Sequence, residues 1–106
     1  MSTLKEVKAM AYIFIHGLGQ TPESWAQVIS NMSLTEKVMC PNLPALVHGQ
    51  ECNYNNLYAA FCRCCETESD GMNLCGLSLG GILALNYAID HPEKIKSLVL
   101  IGTQYV

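Results

Sequence analysis

Ser78 is the residue best placed to do chemistry. It stands in Gly76-Leu77-Ser78-Leu79-Gly80, with Gly81 next. A short apolar run, Met72 to Cys75, leads in, and the apolar stretch Ile82 to Ala88 follows at once. Strand, sharp turn and helix in that order lift one side chain to the carboxyl edge of a sheet, as a nucleophile elbow requires. The neighbours must be small, and Gly76 and Gly80 meet that demand, with Gly81 adding room where helix meets strand. A serine so placed faces the positive end of a helix, where backbone N–H groups stabilise an anion. The chemistry would be acyl transfer through a serine ester. The bland alternative is a glycine-rich turn whose serine caps the helix. Chance alone produces Gly-x-Ser-x-Gly in a chain this long roughly 3% of the time, so the flanking elements carry much of the weight.

A nucleophilic serine needs a base, a group that orients the base, and an oxyanion hole. Leu79 N–H, just after the serine, is one donor candidate. The loop His16-Gly17-Leu18-Gly19 is the other source, and Leu18 N–H is the expected donor. His16 is expected to brace that loop rather than act as a base. His48 falls in a loop two strands away. His91 and Asp90 close the helix that leaves Ser78, roughly 18 Å off at 1.5 Å per residue, and cannot reach it. Asp70 precedes the nucleophile strand at its amino edge, the wrong side of the sheet. Trp25 and Tyr87 read as packing residues rather than substrate contacts.

The elements that must hold these residues alternate. Ala9 to Ile15 is a continuous apolar run, as in a parallel strand covered on both faces. Thr21 and Pro22 open a helix as N-cap and first helical residue, with Trp25, Val28, Ile29 and Met32 on its apolar face. Lys37 to Cys40 is a second strand, followed by a loop through about Gln50. A helix runs from about Asn53 to Cys65, with Leu57, Ala60, Phe61, Cys64 and Cys65 on one side. Asp70-Gly71 marks a turn before the strand that leads to Ser78. The helix after Ser78 presents Ile82, Leu85, Tyr87 and Ile89, is apolar nearly all round, and is expected to be buried; Pro92 stops it. Leu98 to Ile101 is the last strand. The β-α-β-α-β-α-β order predicts a four-stranded parallel sheet with helices on both faces and right-handed crossovers. Residues 1–106 read as a single domain.

Half the residues are hydrophobic and 14% are charged, which marks a core-forming chain. The net charge is −3 and no basic run occurs, which argues against nucleic acid and anionic membrane surfaces as partners. No apolar run is long enough to span a bilayer. Met1 to Lys8 lacks the apolar core of a secretory signal, so the expected location is cytoplasmic. The six cysteines are then expected to be reduced. Cys40 and Cys75 lie in strands as small hydrophobes. Cys62-Arg-Cys64-Cys65 lacks the second spaced pair or partnered histidine of a metal site. No metal or cofactor is expected.

His16-Gly17-Leu18-Gly19 with Trp25 downstream, the elbow Gly76 to Gly81, and His91-Pro92-Glu93-Lys94-Ile95-Lys96-Ser97-Leu98-Val99-Leu100 stand in an order and spacing that resembles the α/β-hydrolase fold family. The resemblance covers most of the chain and implies a truncated α/β-hydrolase fold, starting at the family's third strand. It implies a serine hydrolase of esterase or lipase-like type, acting on a small ester-like molecule. The family's acid follows its seventh (sometimes sixth) strand and its histidine the eighth, whereas this sequence stops at Val106, just past the sixth. An activity-lacking binding module is therefore the alternative. A last strand that is internal in the family would be an exposed edge here, so association with another copy through Leu98 to Ile101 is expected.

Overall fold

The computed structural model describes residues 11–17, 19–32, 37–68 and 71–103. Ala9, Leu18 and Asp70, invoked above, lie outside them. Four strands form one sheet: β1 (Ala11–Ile15), β2 (Lys37–Met39), β3 (Met72–Leu77) and β4 (Ile95–Ile101), in the order β2-β1-β3-β4. Every neighbouring pair is parallel, as helix-sized crossovers require. β1 and β3 pair from Ala11 with Met72 to Ile15 with Gly76, so His16 and Leu77 emerge together at the carboxyl edge.

Four α-helices lie among the described residues: α1 (Ala26–Met32), α2 (Leu43–Leu46), α3 (Tyr54–Cys65) and α4 (Leu79–Asp90). On one face of the sheet, Ile13, Ile15, Met72 and Leu74 pack with Phe61 and Cys65 of α3 and with Leu83, Ala84 and Tyr87 of α4. Phe61 meets Tyr87 edge to face, with ring centroids 5.7 Å apart, a favourable quadrupole arrangement. On the other face Phe14 packs on Trp25, at 5.2 Å. Trp25 and Tyr87 are thus core residues, and helical segments lie on both faces, α3 and α4 on one and the 3-10 turn that carries Trp25 on the other.

Several expectations need correction. Thr21 occupies the N-cap position, but its side chain makes no cap bond; Pro22–Trp25 form a 3-10 turn that delays α1 to Ala26. α1 buries none of its residues, and Val28 and Met32 stay exposed, because Trp25 alone reaches the sheet. The segment after β2 is not all loop. Asn42 caps α2, its side chain accepting the Ala45 N–H, with Pro44 in the first turn where a missing N–H costs nothing. α4 is buried along Gly80, Gly81, Leu83, Ala84 and Tyr87, yet Ile89 is 61% exposed. Its helical angle turns it away from β3. β4 begins at Ile95, three residues earlier than its apolar run, because Ser97 and Ile95 also pair with β3, with Lys96 left unpaired at a shift in register between them.

All six cysteines are free thiols. Burial pushes Cys40, Cys62, Cys64 and Cys75 up, and Cys65 furthest, from 9.0 to about 12. Below pH 9 the Cys65 thiol is neutral in folded and unfolded chains alike. Between 9.0 and about 12 only the unfolded chain releases the proton, so stability falls as pH rises through that window. Thermal melts from pH 8 to pH 11 are expected to show this decline, with a shallower slope in Cys65→Ala. Parallel curves for the two proteins would rule out Cys65 as a source.

Candidate active site

Ser78 links β3 to α4 with φ 57° and ψ −116°. Among the described residues it is the only non-glycine at positive φ. That conformation is sterically costly for a residue with a Cβ, and it is held from several sides. Ser78 N–H donates to the Ile101 carbonyl at 2.9 Å. The Ser78 carbonyl accepts from Gly81 N–H at 2.9 Å and from Ile82 N–H at 3.2 Å. Thr103 Oγ1 lies 3.4 Å from the same carbonyl. The side chain makes no cap bond to α4, and the residue is exposed. A helix-capping serine would do the opposite. The amides of Leu79 and Gly80 open α4 and have no carbonyl within the helix to bond.

The glycines permit the close approach. A Cβ on Gly76 would fall on the Gly80 carbonyl, and one on Gly80 on the Ile15 carbonyl. One on Gly81 would strike Thr103 Oγ1, a contact the sequence did not reveal.

The loop after β1 lies against this turn. A Cβ on Gly17 would be 3.0 Å from the Leu77 carbonyl oxygen and 3.1 Å from Ser78 Cβ. His16 is buried, and both ring nitrogens are committed. Nε2 accepts the Leu43 N–H at 3.1 Å, which leaves Nδ1 to carry the proton directed at the Gly17 carbonyl, 2.9 Å away. The ring therefore ties the loop to the start of α2. With both nitrogens engaged it has no lone pair to offer Ser78.

A cleft of about 340 Å³ opens beside the loop. Its floor is Gly17, Gln20 and Leu79, and its wall is Leu43, Pro44 and Val47 near α2 with Tyr54 and Leu57 of α3. The size is that of a small-molecule site, and among the described residues no charged side chain lines it. Tyr54 is steadied by a hydrogen bond from Asn86 of α4, and Tyr58 donates to Asp90 one turn along. The sequence indicates the helix that supplies Tyr54 and Leu57 but not the α2 part of this wall. Its available signal was Asn42 followed by Pro44, a helix start inside an apparent loop.

His48 is exposed and lies outside the cleft lining. His91 packs on Tyr87, 4.5 Å between rings, at the far end of α4. Asp90 is engaged by Tyr58 there. Among the described residues, no three His, Cys, Asp or Glu side chains come together as a metal site.

A parallel sheet with helices on both faces and a strained serine at the strand-to-helix turn defines a class of α/β proteins. The chain belongs to the alpha/beta hydrolase fold family, whose sequence profile matches residues 12–105. Over 92 residues it is 35% identical to a pimeloyl-[acyl-carrier protein] methyl ester esterase from Aromatoleum aromaticum, covering 86% of this chain and 36% of that protein. It is 28% identical over 99 residues to a 2-hydroxy-6-oxo-2,4-heptadienoate hydrolase from Pseudomonas putida, covering 85% and 36%. Among solved structures, a membrane phospholipase A superposes with TM-score 0.80 at 25% identity, over 94% of this chain and 34% of that one. A thioesterase domain from the curacin biosynthetic pathway superposes with TM-score 0.77 at 23% identity, over 91% and 38%, a likeness of fold. The chain spans little more than a third of the length of these curated relatives. No helix among the described residues is long and apolar enough to cross a membrane.

Proposed function

We propose that the chain carries the nucleophile-bearing part of a serine hydrolase of the carboxylesterase type. The observation that carries this reading is the backbone of Ser78, held at φ 57° with its side chain uncapped and exposed. Strain kept at one residue by several hydrogen bonds points to a functional demand on that residue. In this reading Ser78 Oγ attacks the carbonyl of an ester-like substrate, and the Leu79 and Leu18 amides hold the tetrahedral oxyanion. The alcohol leaves, and water then releases the acid from the Ser78 ester. His16 and Gly17 hold the loop beside Ser78, while Gly76 and Gly80 let helix and strand close on it. His16, His48 and His91 are the chain's histidines, and their surroundings described above support none of them as the base. The base and its acid come from residues outside those described, or from another chain. The esterases among the relatives favour an ester substrate, and the uncharged cleft favours a neutral, largely apolar group within it.

Fluorophosphonate labelling of the full chain, read by intact mass, tests the reading. Ser78 Oγ would bond to phosphorus as fluoride leaves. One adduct, absent from Ser78→Ala, is the expected result. A folded chain that takes no label would sink the hydrolase reading and favour a binding module that keeps the pocket without the chemistry.

A second property is favoured by β4. Val99 is 49% exposed, Leu100 39% and Ile101 44%, on alternating faces of a strand paired only with β3 among the described residues. Apolar residues on both faces suit an internal strand, and an uncovered edge is prone to pairing. In this reading a second copy covers β4. Light scattering on the eluting protein should give a dimer that Val99→Lys converts to monomer. A monomer throughout, with fast-exchanging amides at 98–101, would contradict it.

A further inference from the structure

We propose that Gln20 is a positioning residue for the oxyanion loop, a role that rests on the hydrolase reading above. Both backbone polar groups of Gly17 are held by this one residue. Gly17 N–H donates to Gln20 Oε1 at 2.9 Å, and Gln20 N–H donates to the Gly17 carbonyl at 3.1 Å. His16 Nδ1 reaches the same carbonyl. The backbone bond alone would close a turn. The side-chain bond adds a second closure that a turn does not need.

Two consequences follow from that second bond. The Gly17 N–H is occupied, so it is withdrawn from the donors that could face a substrate, and the oxyanion duty falls to amides later in the loop. The bond also fixes where Gly17 sits, and Gly17 is the point of the loop that touches Leu77 and Ser78. Gln20 therefore helps set the spacing between the loop and the serine while itself lining the cleft. Donors that stabilise an oxyanion act through placement, and small displacements are costly to rate. No motif in the sequence singles out Gln20, because its partner is a backbone amide three residues back.

Gln20→Met keeps the length and loses the acceptor, whereas Gln20→Glu keeps an acceptor. In the full chain, Gln20→Met should speed hydrogen exchange at the Gly17 amide, and Gln20→Glu should restore its protection. On p-nitrophenyl butyrate, Gln20→Met should lower kcat about tenfold while KM stays within about twofold, the pattern of an interaction that matters in the transition state. Unchanged kcat in Gln20→Met, a matching rise in KM instead, or unaltered Gly17 exchange would each overturn the role of Gln20 and leave the hydrolase reading standing. If the unmodified chain neither turns over the ester nor takes the fluorophosphonate, while Gly17 exchange still responds to Gln20→Met, the hydrolase reading fails and the catalytic role of Gln20 fails with it.

Discussion

Ser78→Gly is expected to be more stable than Ser78→Ala by about 1 kcal/mol, and both are expected to lose all fluorophosphonate labelling. The stability difference comes from the backbone. At φ 57° a Cβ crowds the chain, and alanine retains that Cβ whereas glycine does not. Part of the relief is offset by the greater freedom of glycine in the unfolded chain, which costs roughly 0.5–1 kcal/mol. Ser78→Ala itself should match the unmodified protein closely, because the Ser78 side chain makes no cap bond to α4. Turnover should fall by several orders of magnitude in both variants, since removing a serine nucleophile costs about 10⁶ in well-studied cases. Urea denaturation and intact-mass labelling measure the two effects separately. If Ser78→Ala proved destabilised by more than about 1 kcal/mol, the serine would be serving the fold as a cap, and the case for a nucleophile would weaken.

Gly80→Ala is expected to destabilise the protein by more than about 4 kcal/mol, a large part of the 5–15 kcal/mol typical of a domain. The added Cβ would fall on the Ile15 carbonyl and lie 2.7 Å from the His16 carbonyl oxygen. These are backbone atoms at the end of a central strand, so no side-chain rotation relieves the overlap. α4 would have to lift from β1, which would open the core around Leu83 and Ala84. Gly19→Ala is the control. Gly19 has φ +79°, but a Cβ there meets nothing within 4 Å. It should cost only the backbone penalty of about 1–2 kcal/mol. Equal denaturation midpoints for the two variants would mean that α4 does not approach β1 as closely as described.

The architecture was legible because it follows from local periodicity. Apolar runs at Ala9 to Ile15 and Leu98 to Ile101, broken by helical stretches, leave a parallel sheet as the economical arrangement. The Gly-x-Ser-x-Gly turn was legible for a similar reason, since each glycine answers a demand made within a few residues of it. Less legible was whatever depends on partners far apart in sequence. α2 falls within the expected loop through about Gln50, because prolines such as Pro41 and Pro44 are turn formers in sequence and only the structure shows Asn42 capping a helix there. The apolarity of Val28 and Ile89 did not bury them, because burial depends on the angle at which a helix meets the sheet.

The same division runs through the site. By itself the sequence determined that Ser78 sits at a strand-to-helix turn, that small residues surround it, and that His16 and Gly17 share its edge of the sheet. Each of these is a consequence of short-range steric and hydrogen-bonding rules. Only the tertiary structure decided that both His16 nitrogens are engaged, that Gln20 holds Gly17, that Thr103 packs over Gly81, and that α2 and α3 wall a cleft. Those facts rest on distances between segments that folding brings together, and a hydrogen bond or a steric overlap is decided by fractions of an ångström that spacing along the chain does not encode.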